Sequence, residues 1–241
     1  VWGSNSMEFN VTNSVNASLP LGTSPREFYA GRIYFQQNTT NLSFSRQFRE
    51  VGFVQTVSIA FGCEFRDDRY QIEAGELASY INGGRTTRTG TAVNGNPTFG
   101  PVAAGAQVFP GFQPSNELNQ SRTNVAGYAE IESDITPRLL VGLAGRAENY
   151  SDFGSNVSGR LGARFSFLDD VALRGNISNG FRAPSLQQRY FTNQSTQFVQ
   201  GAPQTVLTAN NADPIVRQFG VGSLKQETSV NYSLGLTARI K

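Results

Sequence analysis

Residues 159–182, GRLGARFSFLDDVALRGNISNGFR, decide the fold of this chain. In both halves of the stretch, apolar residues alternate with polar or small ones, a period of two that is typical of a β-strand with one apolar face. Asp169 and Asp170, in the middle, have ordinary turn chemistry. The stretch therefore predicts a β-hairpin. Its apolar side consists of Leu161, Ala163, Phe165, Phe167, Val171, Leu173, Ile177 and Phe181, and its polar side of Arg160, Gly162, Arg164, Ser166, Arg174, Asn176, Ser178 and Arg182.

The same alternation recurs along the rest of the chain and predicts about eight strands in all. Runs of about ten residues or more have the length with which a tilted strand crosses a bilayer. The other runs are Met7–Leu19, a weaker one that ends in Leu42–Ser45, Thr56–Asp68, Asn124–Glu132, Leu139–Glu148 and Ser229–Ile240.

The connections between these runs differ greatly in length. They are short around Arg49–Gly52, Ile135–Arg138 and Leu168–Asp170, and two are very long, at about 74–121 and 183–226. Such long loops count against a compact soluble domain, whereas an outer-membrane barrel has short periplasmic turns and long surface loops. We therefore expect an all-β fold, namely a segment of an antiparallel, up-and-down transmembrane β-barrel with two long extracellular loops.

The polar side of the strands carries charges of both signs. In a barrel these side chains would face a water-filled or plugged lumen, where arginine can hold a carboxylate through two hydrogen bonds. A soluble carbohydrate-binding β-sandwich also alternates apolar and polar residues, and a stand-alone small barrel, serving as an anchor or a channel, has about the same number of strands. Both stay open as alternatives. The residues expected to face the lumen are Glu130, Glu132, Arg146, Glu148, Arg160, Arg164, Arg174 and Arg182.

The composition excludes several classes of function. The 241 residues include no histidine and one cysteine, Cys63, which excludes Ser-His-Asp and Cys-His catalysis, histidine zinc sites and disulfide frameworks. A net charge of +2 without a Lys/Arg cluster argues against nucleic-acid binding. The adjacent acids Asp67–Asp68 and Asp169–Asp170 do not supply the roughly six oxygens that calcium needs. No apolar run reaches the roughly 18 residues of a spanning helix. We expect no enzyme activity, metal or cofactor.

Aromatic residues in the two long loops are the best candidates for ligand contact. Aromatic faces at a pore mouth can stack on a sugar, a porphyrin or an aromatic chelator, although packing of loop on loop is the commoner fate of such rings. The candidates are Tyr80, Phe99, Phe109 and Phe112 in the first loop and Tyr190, Phe191 and Phe198 in the second.

Three sequence motifs, in order along the chain, resemble TonB-dependent outer-membrane receptors. They are residues 146–155 (RAENYSDFGS), 175–188 (GNISNGFRAPSLQQ) and 224–235 (LKQETSVNYSLG), with Gln226 where proline is usual. Residues 108–112 (VFPGF) resemble a loop motif of the large proteobacterial members. The resemblance covers essentially the whole chain.

Structural roles are expected for most residues of these motifs. Pro184 ends a strand because it cannot donate to a ladder, and Arg182 is expected to pair with a local carboxylate. Asp152 is expected to hold backbone amides in a tight extracellular turn after Tyr150.

The resemblance implies a receptor of the Gram-negative outer membrane, with a barrel of about 22 strands around an N-terminal plug. Such receptors import a scarce nutrient, for example an iron chelate (siderophore), cobalamin or an oligosaccharide, with energy passed on by TonB, ExbB and ExbD. The implied partners are that energy-coupling system, reached through the plug, a small-molecule or oligosaccharide ligand, and outer-membrane lipid. Residues 1–241 contain no TonB box, plug or terminal aromatic, so they are expected to be an internal part of the barrel. The fold does not choose the substrate.

Overall fold

Eight strands form one continuous sheet in the computed structural model of the chain, which describes residues 1–199 and 202–239 but not the side chains of residues 196–203. Neighbouring strands are antiparallel, and their order across the sheet follows their order along the chain. The predicted all-β fold of about eight sequential strands is confirmed. The strands are β1 (Trp2–Thr12), β2 (Glu27–Val51), β3 (Val54–Glu73), β6 (Leu118–Thr136), β7 (Leu139–Tyr150), β8 (Gly154–Leu168), β9 (Val171–Arg182) and β12 (Glu227–Ala238).

The two ends of the sheet differ in the length of their connections. At the short-turn end, two-residue links join β2 to β3, β6 to β7 and β8 to β9. Gly52 adopts a φ of 63° in the first of these links, a conformation that favours glycine. At the long-loop end, the connections are residues 13–26, 74–117, 151–153 and 183–226. The structure thus has the two longest loops close to where the sequence pattern predicts them.

The register of the ladders determines which side chains share a face. Leu161 pairs with Leu143 and Ile177, whereas Arg164 pairs with Arg174 on the other side of the sheet. We call these sides the apolar face and the charged face. Large side chains on the apolar face are exposed along the whole width of the sheet: Leu42, Phe44, Phe61, Phe65, Val125, Ile131, Leu143, Leu161, Phe165, Leu173, Ile177, Leu234 and Leu236.

The two longest loops contain small elements of their own. Residues 74–117 include α1 (Leu77–Tyr80) and the hairpin of β4 (Thr86–Thr91) and β5 (Pro97–Pro101). Residues 183–226 include α2 (Leu186–Tyr190), the hairpin of β10 (Asn193–Val199) and β11 (Ala202–Thr208), and α3 (Pro214–Gln218). None of the helices in the described residues is long and apolar enough to span a membrane.

The buried core lies at the long-loop end, on the charged face. It consists of Tyr70 and Ile72 of β3, Phe112 of the first long loop and Leu186 of α2. Phe9, Ile33, Phe109, Leu118, Tyr190 and Phe191 pack around these four side chains. The two loops therefore pack against the charged face at the long-loop end of the sheet. The rest of the sheet carries no second layer in the described residues.

The first strand differs from its prediction in its bounds and in which side chains are buried. The run Met7–Leu19 was expected to be one strand, but β1 ends at Thr12 and Asn13 turns the chain with a φ of 55°. Buried Asn16 then donates from Nδ2 to the carbonyls of Ala78 and Ile81, both at 2.9 Å. Beyond Thr12 the polar residues Asn16 and Ser18 are buried, whereas Val15 is exposed, because hydrogen bonds of a buried amide and not a ladder hold this part of the run.

The last strand is β12, slightly earlier than the predicted Ser229–Ile240, and Ile240 lies outside the described residues. In residues 1–199 and 202–239, no ladder joins β12 to β1, so the sheet has two free edges. A single open sheet supports neither the β-sandwich nor the small closed barrel that the pattern left open.

Candidate functional site

Four of the predicted aromatic ligand contacts meet in the core at the long-loop end. The ring of Phe112 lies edge-on to Phe9, Phe109 and Phe191, with centroids 5.6, 5.7 and 6.3 Å apart. Tyr190 packs against the same cluster. Because Phe112 is only 1% exposed, it packs loop on loop in this conformation, and its neighbours form the rim of the cluster.

The other predicted aromatic contacts lie apart from this cluster. Tyr80 is half-buried at the end of α1, and Phe99 is exposed on β5. Phe198 belongs to β10, but its side chain lies outside the described residues. The role of all these aromatic residues in ligand contact stays a prediction.

The strand register places all eight predicted charged residues on the charged face, since the β9–β12 ladder continues without a bulge from Arg174 to Arg182. Arg182 lies beyond Arg160–Ser178, the last pair of the β8–β9 ladder, and opposite Glu227 of β12. It forms none of the ion pairs found among the described residues, so the expected pairing with a local carboxylate is not made. The eight are Glu130, Glu132, Arg146, Glu148, Arg160, Arg164, Arg174 and Arg182.

Arg122 and Asp68 form the most buried ion pair of the charged face. Their side chains are 7% and 3% exposed, and Arg122 Nη2 donates to Asp68 Oδ2 at 3.1 Å. Gln37 donates to the other carboxylate oxygen at 2.7 Å. Arg122 Nη1 donates to the carbonyl of Pro184 at 2.7 Å. A buried charge is tolerated when it is paired and hydrogen-bonded in this way, and here the pair also holds the start of the second long loop.

Tyr150 connects this pair to a second group of charges. Its hydroxyl accepts a hydrogen bond from Arg66 at 3.0 Å and donates one to Glu148 at 2.9 Å. The guanidinium of Arg122 lies 5.3 Å from the centroid of the Tyr150 ring, a cation–π distance. Arg146 then pairs with both Glu148 and Glu64. Opposite charges of β3 and β7 are thereby joined across β6.

Asp152 joins the second long loop to the same network. Arg189 of α2 donates from Nη1 to the carbonyl and to Oδ2 of Asp152, both at 2.9 Å. The backbone amide of Thr123 on β6 donates to Ser151 Oγ at 3.0 Å. The expectation that Asp152 holds backbone amides is therefore wrong, because the serine beside it has that role and the aspartate faces an arginine.

All three sequence motifs converge at this point of the structure. Residues 146–155 supply Tyr150 and Asp152, and residues 175–188 supply Phe181, whose ring lies 6.1 Å from that of Tyr150. Gln226, from the third motif, donates to Asn156 at 3.1 Å. The motifs therefore contribute to a cluster that we call the anchor, which fixes the second long loop to the sheet. It consists of Asp68, Arg122, Tyr150, Asp152 and Arg189.

A groove of about 360 Å³ lies on the charged face towards the short-turn end. Glu130 and Glu132 line one side of it, and Arg164 and Arg174 line the other. None of these four side chains takes part in an ion pair among the described residues. Within the described part of the chain, the Arg160 side chain bonds to Asn176 alone, at 2.8 Å. The charges of this groove are open to an occupant, unlike those of the anchor.

Sequence reasoning missed Arg122, Asp68 and Arg189 as central residues. Arg122 and Asp68 lie 54 positions apart, and Arg189 and Asp152 lie 37 positions apart. The one available signal is that Arg122 continues the alternation of Asn124 on β6, which places it on the charged face. No pattern in the sequence links it to its partners.

The sequence matches a family model described as TonB dependent receptor-like, beta-barrel, over residues 2–239. A comparison with curated proteins finds none that matches. The family model thus places the chain in a family. The comparison with curated proteins adds no relative to it.

Several solved receptors share the fold. The siderophore receptor PirA from Acinetobacter baumannii is 16% identical, with a TM-score of 0.56 over 99% of this chain and 30% of that chain. A variant of the ferric enterobactin receptor PfeA from Pseudomonas aeruginosa is 16% identical, with a TM-score of 0.57 over 99% and 29%. Another PfeA variant, in complex with enterobactin, is 16% identical, with a TM-score of 0.56 over 99% and 30%.

At this level of identity the likeness concerns the fold. This chain spans about 30% of the length of those receptors. The family match extends over nearly all of it, and the sheet has the sequential antiparallel order that a barrel wall requires. The chain belongs to the TonB-dependent receptor-like β-barrel family.

Proposed function

We propose that this chain forms part of the barrel wall of an outer-membrane receptor that imports a scarce nutrient by TonB-coupled active transport. The observation that carries the proposal is the family match over residues 2–239, together with a sheet whose apolar face is exposed and whose other face is charged. In this proposal, residues 1–241 are one part of a larger barrel, with a plug domain elsewhere in the receptor.

The apolar face fits a lipid environment. β7 has 12 residues, which extend about 40 Å at roughly 3.3 Å per residue. A tilt of about 45° reduces that to about 28 Å along the membrane normal, close to the apolar band of about 25 Å on outer-membrane barrels. In water, contiguous exposure of so many large apolar side chains would favour aggregation. We therefore assign this face to lipid and the charged face to the lumen.

The long-loop end faces the cell exterior in this proposal. The loops meet there: Gln113 of the first donates to Gln194 of the second at 3.0 Å. The hairpin β4–β5 extends from the first of these loops and is almost entirely exposed. Loops that are fixed to a rigid wall but project into solvent are suited to recognition.

The substrate that we propose is an iron–siderophore complex, with cobalamin and oligosaccharides as the other classes. This choice is supported by the solved structures with the same fold, which are siderophore and ferric enterobactin receptors. The proposed partners are TonB, ExbB and ExbD, which would act through the plug.

Deletion of the β4–β5 hairpin from the full-length protein tests this function. The amide of Val102 donates to the carbonyl of Arg85 at 3.1 Å, so the hairpin ends are adjacent and can be joined by two glycines in place of residues 86–101. A larger deletion of residues 85–115 would also remove buried Phe112 and disturb the core.

We expect the shortened receptor to assemble in the outer membrane but to lose most of its uptake of ferric siderophore, measured with radioactive iron. A strain without the gene gives the background, and Phe53→Ser, at an exposed position in the β2–β3 link at the other end of the sheet, serves as the control. Unchanged uptake after removal of the hairpin would exclude it from the recognition surface. Equal uptake with and without the gene, over a panel of siderophores, would contradict the substrate class.

A further inference from the structure

One arginine lies on the apolar face, in a part of it that is otherwise uncharged. The register places Arg46 of β2 on this face, opposite Ile59 of β3. Among the described residues, Arg46 is the one charged side chain on the apolar face between the level of Phe65 and that of Val57. These levels are about 19 Å apart along the membrane normal, at roughly 3.3 Å per residue and a tilt of about 45°. Arg46 therefore lies within the band that we assign to lipid.

Aromatic rings border Arg46 on two sides. Towards the short-turn end, its guanidinium carbon lies 5.2 Å from the centroid of the Phe48 ring, a cation–π distance. On the other side, the rings of Phe44 and Phe61 stack with their centroids 5.5 Å apart. All three rings are exposed. The guanidinium is thus directed towards the short-turn end, and the rings offer apolar surface above and below it.

No carboxylate neutralises Arg46 within the part of the chain that the structure describes. Its side chain is exposed and takes part in none of the ion pairs found there. Glu50 is four residues nearer to the turn, about 13 Å along the strand at roughly 3.3 Å per residue. Glu130 and Glu132 lie on the charged face, on the other side of the sheet. A charged group that faces lipid is expected to have a polar partner, and this one has its partner outside the described residues.

We propose that Arg46 binds the phosphate of a glycerophospholipid in the periplasmic leaflet of the outer membrane, with the acyl chains against Phe44 and Phe61. A planar guanidinium matches two phosphate oxygens, and a long basic side chain can extend from apolar surface to the headgroups. Phe48 lies where outer-membrane barrels carry a girdle of aromatic residues. The proposal rests on the proposed function in one respect: the apolar face meets lipid, with the short-turn end at the periplasm. It does not depend on the imported substrate.

Titration of the delipidated full-length protein with lipid, followed by native mass spectrometry, tests the site. The probes are dioleoylphosphatidylglycerol and dioleoylglycerol, which has the same chains but no phosphate. We expect Arg46→Gln to weaken binding of the phospholipid at the tightest site about tenfold, the effect of one charge-assisted hydrogen bond, and to leave binding of dioleoylglycerol unchanged. Arg69→Gln removes an exposed arginine from the same side of the sheet, nearer to the long-loop end. It is the control and is expected to bind both lipids like the wild type.

Three results would overturn the proposal. Equal phospholipid binding by the wild type and Arg46→Gln would indicate that a carboxylate of a neighbouring strand is the partner of Arg46. An equal loss for both lipids would indicate packing of acyl chains alone, and the same loss with Arg69→Gln would indicate attraction without a site. If Arg46→Gln does not assemble, the wild type decides, by an expected tenfold preference for the phospholipid or by equal binding, which overturns the proposal. Since neither siderophore nor TonB is present, failure here and failure of the uptake experiment are distinguishable.

Discussion

At the scale of single residues, the buried charges of the charged face are arranged so that each has several partners. Asp68 accepts from Arg122 and from Gln37, and Arg122 in turn contacts Pro184 and the ring of Tyr150. Removal of one member leaves the other charge buried, which is far more costly than removal of an exposed pair.

The substitution Asp68→Asn tests this arrangement. We expect the full-length protein to lose about 3–5 kcal/mol of stability, since Arg122 would stay buried without the carboxylate to which it donates a hydrogen bond. The measurement is urea-induced unfolding in lipid vesicles. Glu8→Gln, at an exposed carboxylate 3.8 Å from Arg32, is the matched control and is expected to change stability by less than about 1 kcal/mol. Equal effects of the two substitutions would show that the anchor does not stabilise the wall.

Gly31 marks a position where the backbone itself requires glycine. Its φ is +106°, and a Cβ there would lie 2.5 Å from the Glu73 carbonyl and 2.9 Å from Phe112 Cδ2. We expect Gly31→Ala to destabilise the protein by about 1–3 kcal/mol, seen as a lower unfolding midpoint. Gly145→Ala, where a Cβ meets no atom within 4 Å, should change stability by less than about 1 kcal/mol. A Gly31→Ala variant as stable as the wild type would contradict the strained geometry.

At the scale of elements, the two faces of the strands explain the alternation that decides the fold. Leu161 lies on the apolar face, and neighbouring Arg160 lies on the charged face. We expect Leu161→Arg to cost about 2–4 kcal/mol in a lipid-embedded barrel, measured by unfolding from vesicles. Arg160→Leu, which removes the hydrogen bond to Asn176 and no other side-chain bond among the described residues, should be mild. A neutral Leu161→Arg with a severe Arg160→Leu would mean that the faces are reversed.

The sequence predicts elements well where one physical requirement acts along the whole strand. From β6 to β9, every second side chain meets the same environment, so the alternation reveals strand, face and turn together. In β1 this requirement changes at Asn13, where the chain leaves the sheet and Asn16 becomes buried under the first loop. Period two continues in the sequence to Leu19, so the pattern alone overextends the strand.

The anchor was beyond prediction for a different reason. Its motifs are recognisable as strings, but their contacts join residues far apart, such as Arg122 with Pro184 and Arg189 with Asp152. These pairs depend on the register of four strands and on the path of a long loop. The sequence correctly suggested a tight turn at residues 151–153, but it assigned backbone-amide contacts to Asp152, whose carboxylate binds Arg189 instead. It also gave no sign that Phe112 is part of the core.

At the scale of the whole molecule, the free edges of the sheet are the feature that most needs a partner. The outer edges of β1 and β12 expose unpaired backbone groups in the described residues, and each such group costs several kcal/mol in lipid. Direct closure of eight strands would also crowd the arginine and tyrosine side chains of the charged face into a narrow lumen. A wall segment within a larger barrel, or pairing of edges between copies, avoids both costs.

The structure of the full-length protein in lipid nanodiscs tests this account most directly, through the backbone ladders at the two edges. We predict that β1 and β12 each pair with a strand from outside residues 1–241, so that this sheet forms one sector of a larger closed barrel around a plug. A continuous ladder between β1 and β12 of one chain would instead show that the eight strands close alone, and it would contradict the account.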